Sequence, residues 1–334
     1  MHLFELTRKL IDIESITPNE QDVGNFLWEY LNGLASRLDG RVERMPVEPH
    51  RDNIFVHFGE PVVVLSTHMD TVPPFVPSRE DETQIWGRGA CDTKGIIAAM
   101  INAAEQMLSS GRRSFGLLFV VGEERNSAGA VAAAKNPRGS RFLVNGEPTE
   151  NKLALGSKGS LRYEIVAQGR MAHSAYPELG ESAIEKLLEA LSRIRQIRLP
   201  VDDLLGASTL NIGRIEGGRA PNIIADQARA EILVRVVADA AELRRQIEQA
   251  ATPDATAEEV LFIPAVHLTA VEGFTTTVVA FTTDIPAFDG TWGKPFLIGP
   301  GSIHVAHTAE ERIPKNQLEE AVGLYKQLID RLSR

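Results

Sequence analysis

Histidine and acidic side chains follow the ends of several short apolar runs in this sequence. His68 follows the run at residues 62–65, and acidic residues follow the runs at 115–121 and 142–144. The set consists of His68, Asp70, Glu123, Glu124, Glu147 and His307, together with Asp92, which stands before a helical pattern. Imidazole and carboxylate groups together suit zinc and similar divalent cations. Because ligands of open parallel sheets bind at the carboxyl ends of the strands, the pattern predicts a metal site at one sheet edge.

Each of these residues also has an ordinary structural explanation. Asp92 could be only the N-cap of the helix that follows it, and Glu123-Glu124 could be a solvated loop pair. His304 competes with His307 as a ligand. The metal site is favoured because all the ordinary explanations would otherwise have to hold together at one edge of the sheet.

The elements that position these residues follow from the apolar periodicity. Short apolar runs alternate with helical patterns over the first part of the chain, which predicts an α/β fold with a mainly parallel, mixed sheet flanked by helices. After about Gly159, alternating strand patterns and two helices predict an α+β insert of the ferredoxin-like kind. We therefore predict a catalytic domain of residues 1–159 and 266–334, interrupted by a smaller domain of residues 160–265.

Composition excludes several classes of protein. The 334 residues suggest about two domains at roughly 150 residues each. The 35 basic and 45 acidic residues give a net charge of −10, which argues against nucleic-acid binding. No apolar run approaches the roughly 20 residues of a membrane span, and the first residues lack a secretory apolar segment. Cys91 is the only cysteine, which excludes an intrachain disulfide and fits a cytoplasmic location.

Seven motifs occur in a fixed order along nearly the whole chain. They are STHMDTVP (66–73), GRGACDTKG (87–95), GEERNSAGA (122–130), GEPT (146–149), HSAYPELGESAI (173–184), EGGRAPNIIAD (216–226) and GPGSIHVAHTAEE (299–311). Together they resemble the M20 metallopeptidase and amidohydrolase family, which includes acetylornithine deacetylase, succinyl-diaminopimelate desuccinylase, aminoacylases and carboxypeptidase G. The resemblance implies a zinc-peptidase-like catalytic domain and an inserted ferredoxin-like lid and dimerisation domain.

The resemblance further implies two divalent metal ions, zinc in the first place, with cobalt and manganese as alternatives. His68 and Glu147 would bind one ion, Glu124 and His307 would bind the other, and Asp92 would bridge them. The family often has a cis peptide bond after the bridging aspartate.

Catalytic roles are implied in the same way. Asp70 would orient His68, and Glu123 would be the general base that takes a proton from the attacking water. His173, in the smaller domain, would reach the active site of a partner subunit and stabilise the oxyanion. Taken alone, His173 is better explained as a surface or capping histidine, and the HSAYP context favours catalysis.

Two residues of the smaller domain match positions that bind the substrate carboxylate. They are Asn222 and Arg235, and the planar guanidinium of arginine suits a carboxylate. Arg235 could also be a strand arginine facing solvent. Thr283-Asp284 is a weak match to a family segment near the substrate.

The function that we predict is hydrolysis of the amide bond of an N-acyl amino acid, similar to acetylornithine or acetylcitrulline deacetylase. The Gly299-Pro300-Gly301 turn is the main support for this branch of the family. The alternatives are an M20 dipeptidase or carboxypeptidase, which would act on a dipeptide, and a non-catalytic binding module on the same scaffold. We expect a small-molecule substrate, a homodimer formed through the lid domain, and no nucleic-acid or membrane partner.

Other enzyme classes lack their motifs. Gly87 and Gly89 before a helix are typical of a dinucleotide loop, but Asp92 stands in place of the third glycine and would repel a pyrophosphate. No GxSxG motif of a serine hydrolase occurs. The sequence departs from the M20 pattern between residues 266 and 283, which is too short for the helix that family members usually have there.

Overall fold

The computed structural model describes all residues, 1–334, and contains seven helices and eighteen strands. The helices are α1 (Leu3–Ile11), α2 (Gln21–Leu38), α3 (Gly95–Ser109), α4 (Ala128–Ala134), α5 (Ala183–Ile194), α6 (Ala241–Ala251) and α7 (Lys315–Leu332). The strands are β1 (Arg41–Glu48), β2 (Arg51–Phe58), β3 (Val63–His68), β4 (Arg79–Glu80), β5 (Gln84–Trp86), β6 (Phe115–Val120), β7 (Phe142–Asn145), β8 (Leu153–Ser157), β9 (Gly159–Gln168), β10 (Val201–Asp202), β11 (Gly206–Ala207), β12 (Thr209–Gly217), β13 (Gln227–Val236), β14 (Thr256–Ile263), β15 (Val266–His267), β16 (Thr276–Val279), β17 (Lys294–Leu297) and β18 (Arg312–Pro314). None of the helices combines the length and the apolar character that a membrane crossing requires.

The chain divides into two compact units. The larger unit comprises Met1–Leu155, Leu268–Thr277 and Thr283–Arg334, and the smaller unit comprises Gly156–His267 and Val278–Thr282. The sequence prediction placed residues 278–282 in the larger domain, and the structure differs there. Lys158 donates its backbone N–H to the carbonyl of Val279 at 3.2 Å, and the Ser157 hydroxyl donates to the carbonyl of Phe281 at 2.5 Å. These bonds join the returning segment to the smaller unit.

A six-stranded sheet forms the centre of the larger unit, in the order β1-β2-β6-β3-β7-β17. Strand β3 is parallel to both β6 and β7, and β17 is parallel to β7, whereas β1 and β2 are antiparallel. These strand directions confirm the prediction of a mixed, mainly parallel sheet. Alternate residues of β3 contribute to two apolar clusters, Val63 and Leu65 to one and Val64 to the other. Both faces of the sheet are therefore covered, as is typical of parallel strands.

Helix α3 begins two residues later than the sequence pattern predicts. The pattern starts at Thr93, but Asp92 and Thr93 have non-helical backbone angles, and the regular helix begins at Gly95. A Cβ atom at Gly95 would lie 2.3 Å from the carbonyl oxygen of Ala90, so a glycine is required at this point. Asp92 does not cap the helix, and its carboxylate is directed toward two histidines instead.

The smaller unit has a β-α-β-β-α-β order, formed by β9, α5, β12, β13, α6 and β14. Its four strands are antiparallel in the order β12-β13-β9-β14, which is the ferredoxin-like arrangement. Leu161, Tyr163 and Ile165 alternate along β9 and pack with residues of α5 and α6 in one core. No helix forms in residues 266–283, in agreement with the short segment seen in the sequence.

Candidate metal centre and active site

The parallel strands of the larger unit all end at one edge of the sheet. Strand β3 ends at His68, and the segments after β6 and β7 carry Glu123, Glu124 and Glu147. Since β3, β6 and β7 are parallel neighbours, these side chains emerge at the same edge.

Asp92 lies between two histidines. Its Oδ1 atom is 3.0 Å from Nε2 of His68, and its Oδ2 atom is 3.1 Å from Nε2 of His307. Nε2 of His307 is also 3.0 Å from Oε1 of Glu124. One ligand atom from each of His68, Asp92 and Glu124 lies within 4.8 Å of the others. A carboxylate that presents one oxygen to each of two imidazoles is suited to bridging two cations.

Glu147 supplies an unsatisfied acceptor near this cluster. It is 4% exposed, and its buried Oε1 atom has no hydrogen-bond partner. Burial raises the pKa of Glu147 well above its ordinary value, while the charge of nearby His68 acts in the opposite direction. Buried carboxylate oxygens are normally paired or bind metals. The orphaned oxygen and the histidine–carboxylate donor set therefore fit a divalent cation.

The structure distinguishes between the two candidate histidines of the 299–311 motif. His307 adopts a left-handed backbone conformation with φ of 62°, and its Nε2 atom reaches both Asp92 and Glu124, whereas no hydrogen bond or ion pair joins His304 to the cluster. The hydrogen bonds that the His307 imidazolium donates to the carboxylates of Asp92 and Glu124 raise its pKa to about 10. The negative potential that stabilises the imidazolium would also attract a metal cation.

Asp70 contacts more than the imidazole of His68. The Nδ1 atom of His68 lies 3.0 Å from the backbone carbonyl oxygen of Asp70 and 3.5 Å from its carboxylate Oδ1. The same carboxylate accepts the backbone N–H groups of Glu123 and Glu124 at 3.1 and 3.2 Å and the Thr17 hydroxyl at 2.7 Å. Burial opposes ionisation of Asp70, but these hydrogen bonds, with His68 foremost, lower its pKa.

Glu123 has a different environment from its neighbour. No protein hydrogen bond reaches its side-chain carboxylate, and the side chain is half-buried. Burial raises the pKa of Glu123 well above its ordinary value, and the negative charge of Asp284 adds to the effect. A carboxylate without a structural partner is available for proton transfer.

The peptide bond between Asp92 and Thr93 is cis, as the resemblance implied. The Thr93 hydroxyl donates to the backbone carbonyl of His68 at 2.5 Å. The two segments that carry His68 and Asp92 are thus joined directly.

Sequence reasoning missed two buried charged residues around the cluster, Arg88 and Glu311, and named a third, Asp284, only in a weak family match. Glu311 forms an ion pair with Arg88, and Asp284 is 1% exposed with neither carboxylate oxygen in a hydrogen bond of good geometry. Burial raises the pKa of Asp284 to about 7, although the hydroxyl of Ser127 is close enough to oppose the shift. Arg88 and Glu311 both stand inside the quoted motifs, but nothing in the sequence alone shows that they are buried.

The remaining predicted residues lie in the smaller unit. His173 is exposed, and its Nδ1 atom accepts the backbone N–H of Ala175 at 3.1 Å, so the neutral ring carries its proton on Nε2. The next residue, Ser174, donates its backbone N–H to the carbonyl of Asn222 at 3.0 Å. His173 and Asn222 therefore lie on adjoining loops.

Arg235 lies in β13 and is half-buried without a carboxylate partner. Thr209 and Ser160 are opposite it on the neighbouring strands. Burial lowers the pKa of its guanidinium, and no charge on a neighbouring group compensates. By contrast, Arg229 on the same strand pairs with Glu216 at 2.8 Å.

Comparison with known proteins places this geometry in a family. The profile of Peptidase family M20/M25/M40 matches residues 64–331 of the chain. The chain belongs to the M20 peptidase family. It is a metal-dependent hydrolase, and its M20 motifs are the ones that carry the histidine and carboxylate cluster.

Relatives and solved structures match this M20 chain over nearly its whole length. It is 40% identical to a peptidase M20 domain-containing protein of Schizosaccharomyces pombe, over 98% of this chain and 84% of the relative. It is 38% identical to a "Probable carboxypeptidase" of Aspergillus niger, over 97% of this chain and 88% of that protein. The structure of a tripeptidase from Staphylococcus aureus matches with a TM-score of 0.79 and 22% identity, covering 99% and 98% of the two chains. The tripeptidase likeness confirms the fold.

Proposed function

We propose that this M20 chain hydrolyses the amide bond of an N-acyl amino acid of the acetylornithine or acetylcitrulline type at a centre of two divalent metal ions. The observation that carries the proposal is the placement of Asp92, with one carboxylate oxygen toward His68 and the other toward His307. This arrangement provides two adjacent cation positions. Zinc suits the ligand set best, and cobalt and manganese are the alternatives.

The ligands divide into two groups about Asp92. His68 and Glu147 would hold one ion, and Glu124 and His307 the other, with Asp92 shared between them. When bound, two divalent cations make a water more acidic and polarise the scissile carbonyl.

Glu123 is the proposed general base. Its carboxylate accepts a proton from the attacking water and returns it to the nitrogen of the leaving amine. The absence of a hydrogen-bond partner leaves both oxygens free for this transfer. The bond from its backbone N–H to Asp70 positions the base relative to the ligand Glu124.

His173 is the proposed donor to the oxyanion. Its Nδ1 atom is occupied by the Ala175 N–H, so Nε2–H is the free donor. The resemblance to the M20 family implies that this histidine acts in the active site of a partner subunit. We propose the same role in this chain, within a homodimer formed through the smaller unit. Leu188 and Ile215 are exposed apolar side chains of that unit that such an interface would cover.

Arg235 and Asn222 are the proposed carboxylate-binding residues. A half-buried guanidinium without an acidic partner lacks the counterion that such groups normally have. A substrate carboxylate would supply it, and the planar guanidinium can bind two carboxylate oxygens. The substrate is therefore an amide whose amine side carries a free carboxylate.

A carboxypeptidase or dipeptidase is the second candidate function. It is favoured by the name of the Aspergillus niger relative, "Probable carboxypeptidase". Peptides and N-acyl amino acids both carry the required carboxylate beside the scissile amide. The two candidates differ only in the acyl group.

Hydrolysis of a matched substrate panel separates these candidates. Zinc- or cobalt-loaded protein would be assayed on N-acetylornithine, N-acetylcitrulline, N-succinyl amino acids and dipeptides, with a chelator as control. Chelator-sensitive release of acetate supports the deacylase, and cleavage of dipeptides alone supports the peptidase. No turnover by protein with two metals bound would contradict both candidate functions, and no metal binding would favour the non-catalytic module.

The cytoplasmic location of the protein stays a prediction.

A further inference from the structure

A buried ion pair beside the metal cluster has no role in the proposed chemistry. Arg88 and Glu311 are each 2% exposed, and Nη1 of Arg88 donates to Oε2 of Glu311 at 2.6 Å. Because desolvating two charges is costly, such a pair often adds no stability over apolar residues of the same size. Its contacts must therefore be considered for another role.

Glu311 contacts the backbone of the bridging aspartate. Its second oxygen, Oε1, accepts the backbone N–H groups of Cys91 and Asp92, each at 3.3 Å. These amides belong to the irregular turn before α3, where the backbone is not helical. The carboxylate therefore accepts N–H groups at a helix start, where a helix offers no acceptor of its own.

Arg88 contacts two further loops of the site. Its Nε atom donates to the carbonyl of Pro74 at 3.2 Å, and Nη1 donates to the carbonyl of Thr308 at 3.2 Å. Pro74 is in the loop that follows Asp70, and Thr308 follows His307. One ion pair thus connects three of the segments that carry the cluster.

We propose that Arg88 and Glu311 are positioning residues that set the metal affinity of the site by fixing the backbone at Asp92 and His307. The inference rests on the proposed two-metal function. Neither residue contacts substrate or the reacting atoms, and both act through the ligands. Groups that orient metal ligands in this way typically change metal affinity by about 10- to 100-fold when they are replaced.

The test is the metal affinity of the Glu311→Gln protein, measured by competition with a chromogenic chelator, together with the visible absorption spectrum of its cobalt form. We expect zinc and cobalt to bind about 10- to 100-fold more weakly and the cobalt bands to change in position or intensity. The matched control is Glu20→Gln. Glu20 forms the buried ion pair with Arg51, which has no hydrogen bond to the cluster. The control should lose stability but keep wild-type affinity.

A second variant separates positioning from folding. The double change Arg88→Met and Glu311→Leu removes both charges, which is often neutral for stability, but it also removes the acceptor of the Asp92 N–H. We expect this double variant to fold, but to bind metal more weakly than the wild type. Wild-type affinity and an unchanged cobalt spectrum in either folded variant would overturn the inference alone. A wild-type protein that binds no metal would overturn the proposed function, and this inference with it.

Discussion

The carboxylate of Asp70 accepts the backbone N–H of Glu123 at 3.1 Å. It also lies 3.5 Å from Nδ1 of His68, so one carboxylate connects a proposed metal ligand to the proposed base. The hydroxyl of Thr17 completes its hydrogen bonds at 2.7 Å. The spacing of His68 and Asp70 in the sequence indicates the contact with His68 but gives no sign of the contact with Glu123.

Replacing Asp70 with asparagine should lower kcat by about 10- to 100-fold. The amide loses the charge and one acceptor, while the N–H groups of Glu123 and Glu124 still point at it. Steady-state kinetics and metal analysis of the purified variant would check this. Thr17→Val is the control, since it removes one hydrogen bond and should cost about 1 kcal/mol of stability with little effect on kcat. Equal kinetics in the two variants would show that Asp70 has no special role.

Glu123→Gln should retain two metal ions and lose turnover by about 100- to 10,000-fold. Glutamine keeps the shape of the side chain and the backbone bond to Asp70, but it cannot accept the proton. The measurement is the metal content of the variant, by elemental analysis, together with its kcat. Loss of metal in this variant would mean that Glu123 is a ligand rather than the base.

His173→Ala should lower kcat with metal content intact. Mixing this variant with Glu123→Gln provides a stronger experiment, because each protein supplies what the other lacks if His173 serves a partner's site. Statistical exchange produces about one mixed dimer in two, and each mixed dimer has one intact site of its two, so about a quarter of wild-type activity should return. No recovery after verified exchange would place His173 in its own subunit's site or outside the mechanism.

The proposed ligands were predictable from sequence because each follows a recognisable apolar run or precedes a helix. The metal cluster therefore needed only the rule that parallel strands end together. The choice of His307 over His304 was not predictable from spacing, since it depends on a left-handed backbone conformation at His307. The roles of Arg88 and Glu311 were also hidden, because burial of a charge depends on tertiary packing. Residues 278–282 were hidden for a similar reason, because they join the smaller unit through hydrogen bonds to Ser157 and Lys158, which leave no pattern in the sequence.

Asp284 should give the metal-free protein a distinct pH dependence. Burial raises the pKa of its carboxyl to about 7, whereas the unfolded chain releases this proton near pH 4, at an ordinary pKa of about 3.9. Its contribution to stability is therefore present below about pH 4 and is lost as the pH rises through about 7. The asparagine of the Asp284→Asn variant cannot ionise, so this variant does not lose stability in this way as the pH rises.

Thermal unfolding of chelator-treated protein would measure the Asp284 effect. The Tm of Asp284→Asn relative to that of the wild type should increase by several degrees between pH 4.5 and 7.5. Glu178→Gln, a change at an exposed carboxylate, should leave the difference from wild type nearly constant. A constant difference for Asp284→Asn as well would contradict the shifted pKa.

Arg235→Met should raise KM and lower kcat/KM by about 30-fold or more for substrates with a free carboxylate, equivalent to about 2 kcal/mol. Methionine keeps much of the buried stem but cannot bind the carboxylate. Arg229→Met is the matched control on the same strand, because Arg229 is already paired with Glu216. The deciding comparison uses the same substrate with its carboxylate converted to an amide. If Arg235 binds the carboxylate, wild type and variant should cleave the amide at similar, low rates. If the variant is impaired equally on both substrates, Arg235 supports the smaller unit without binding substrate.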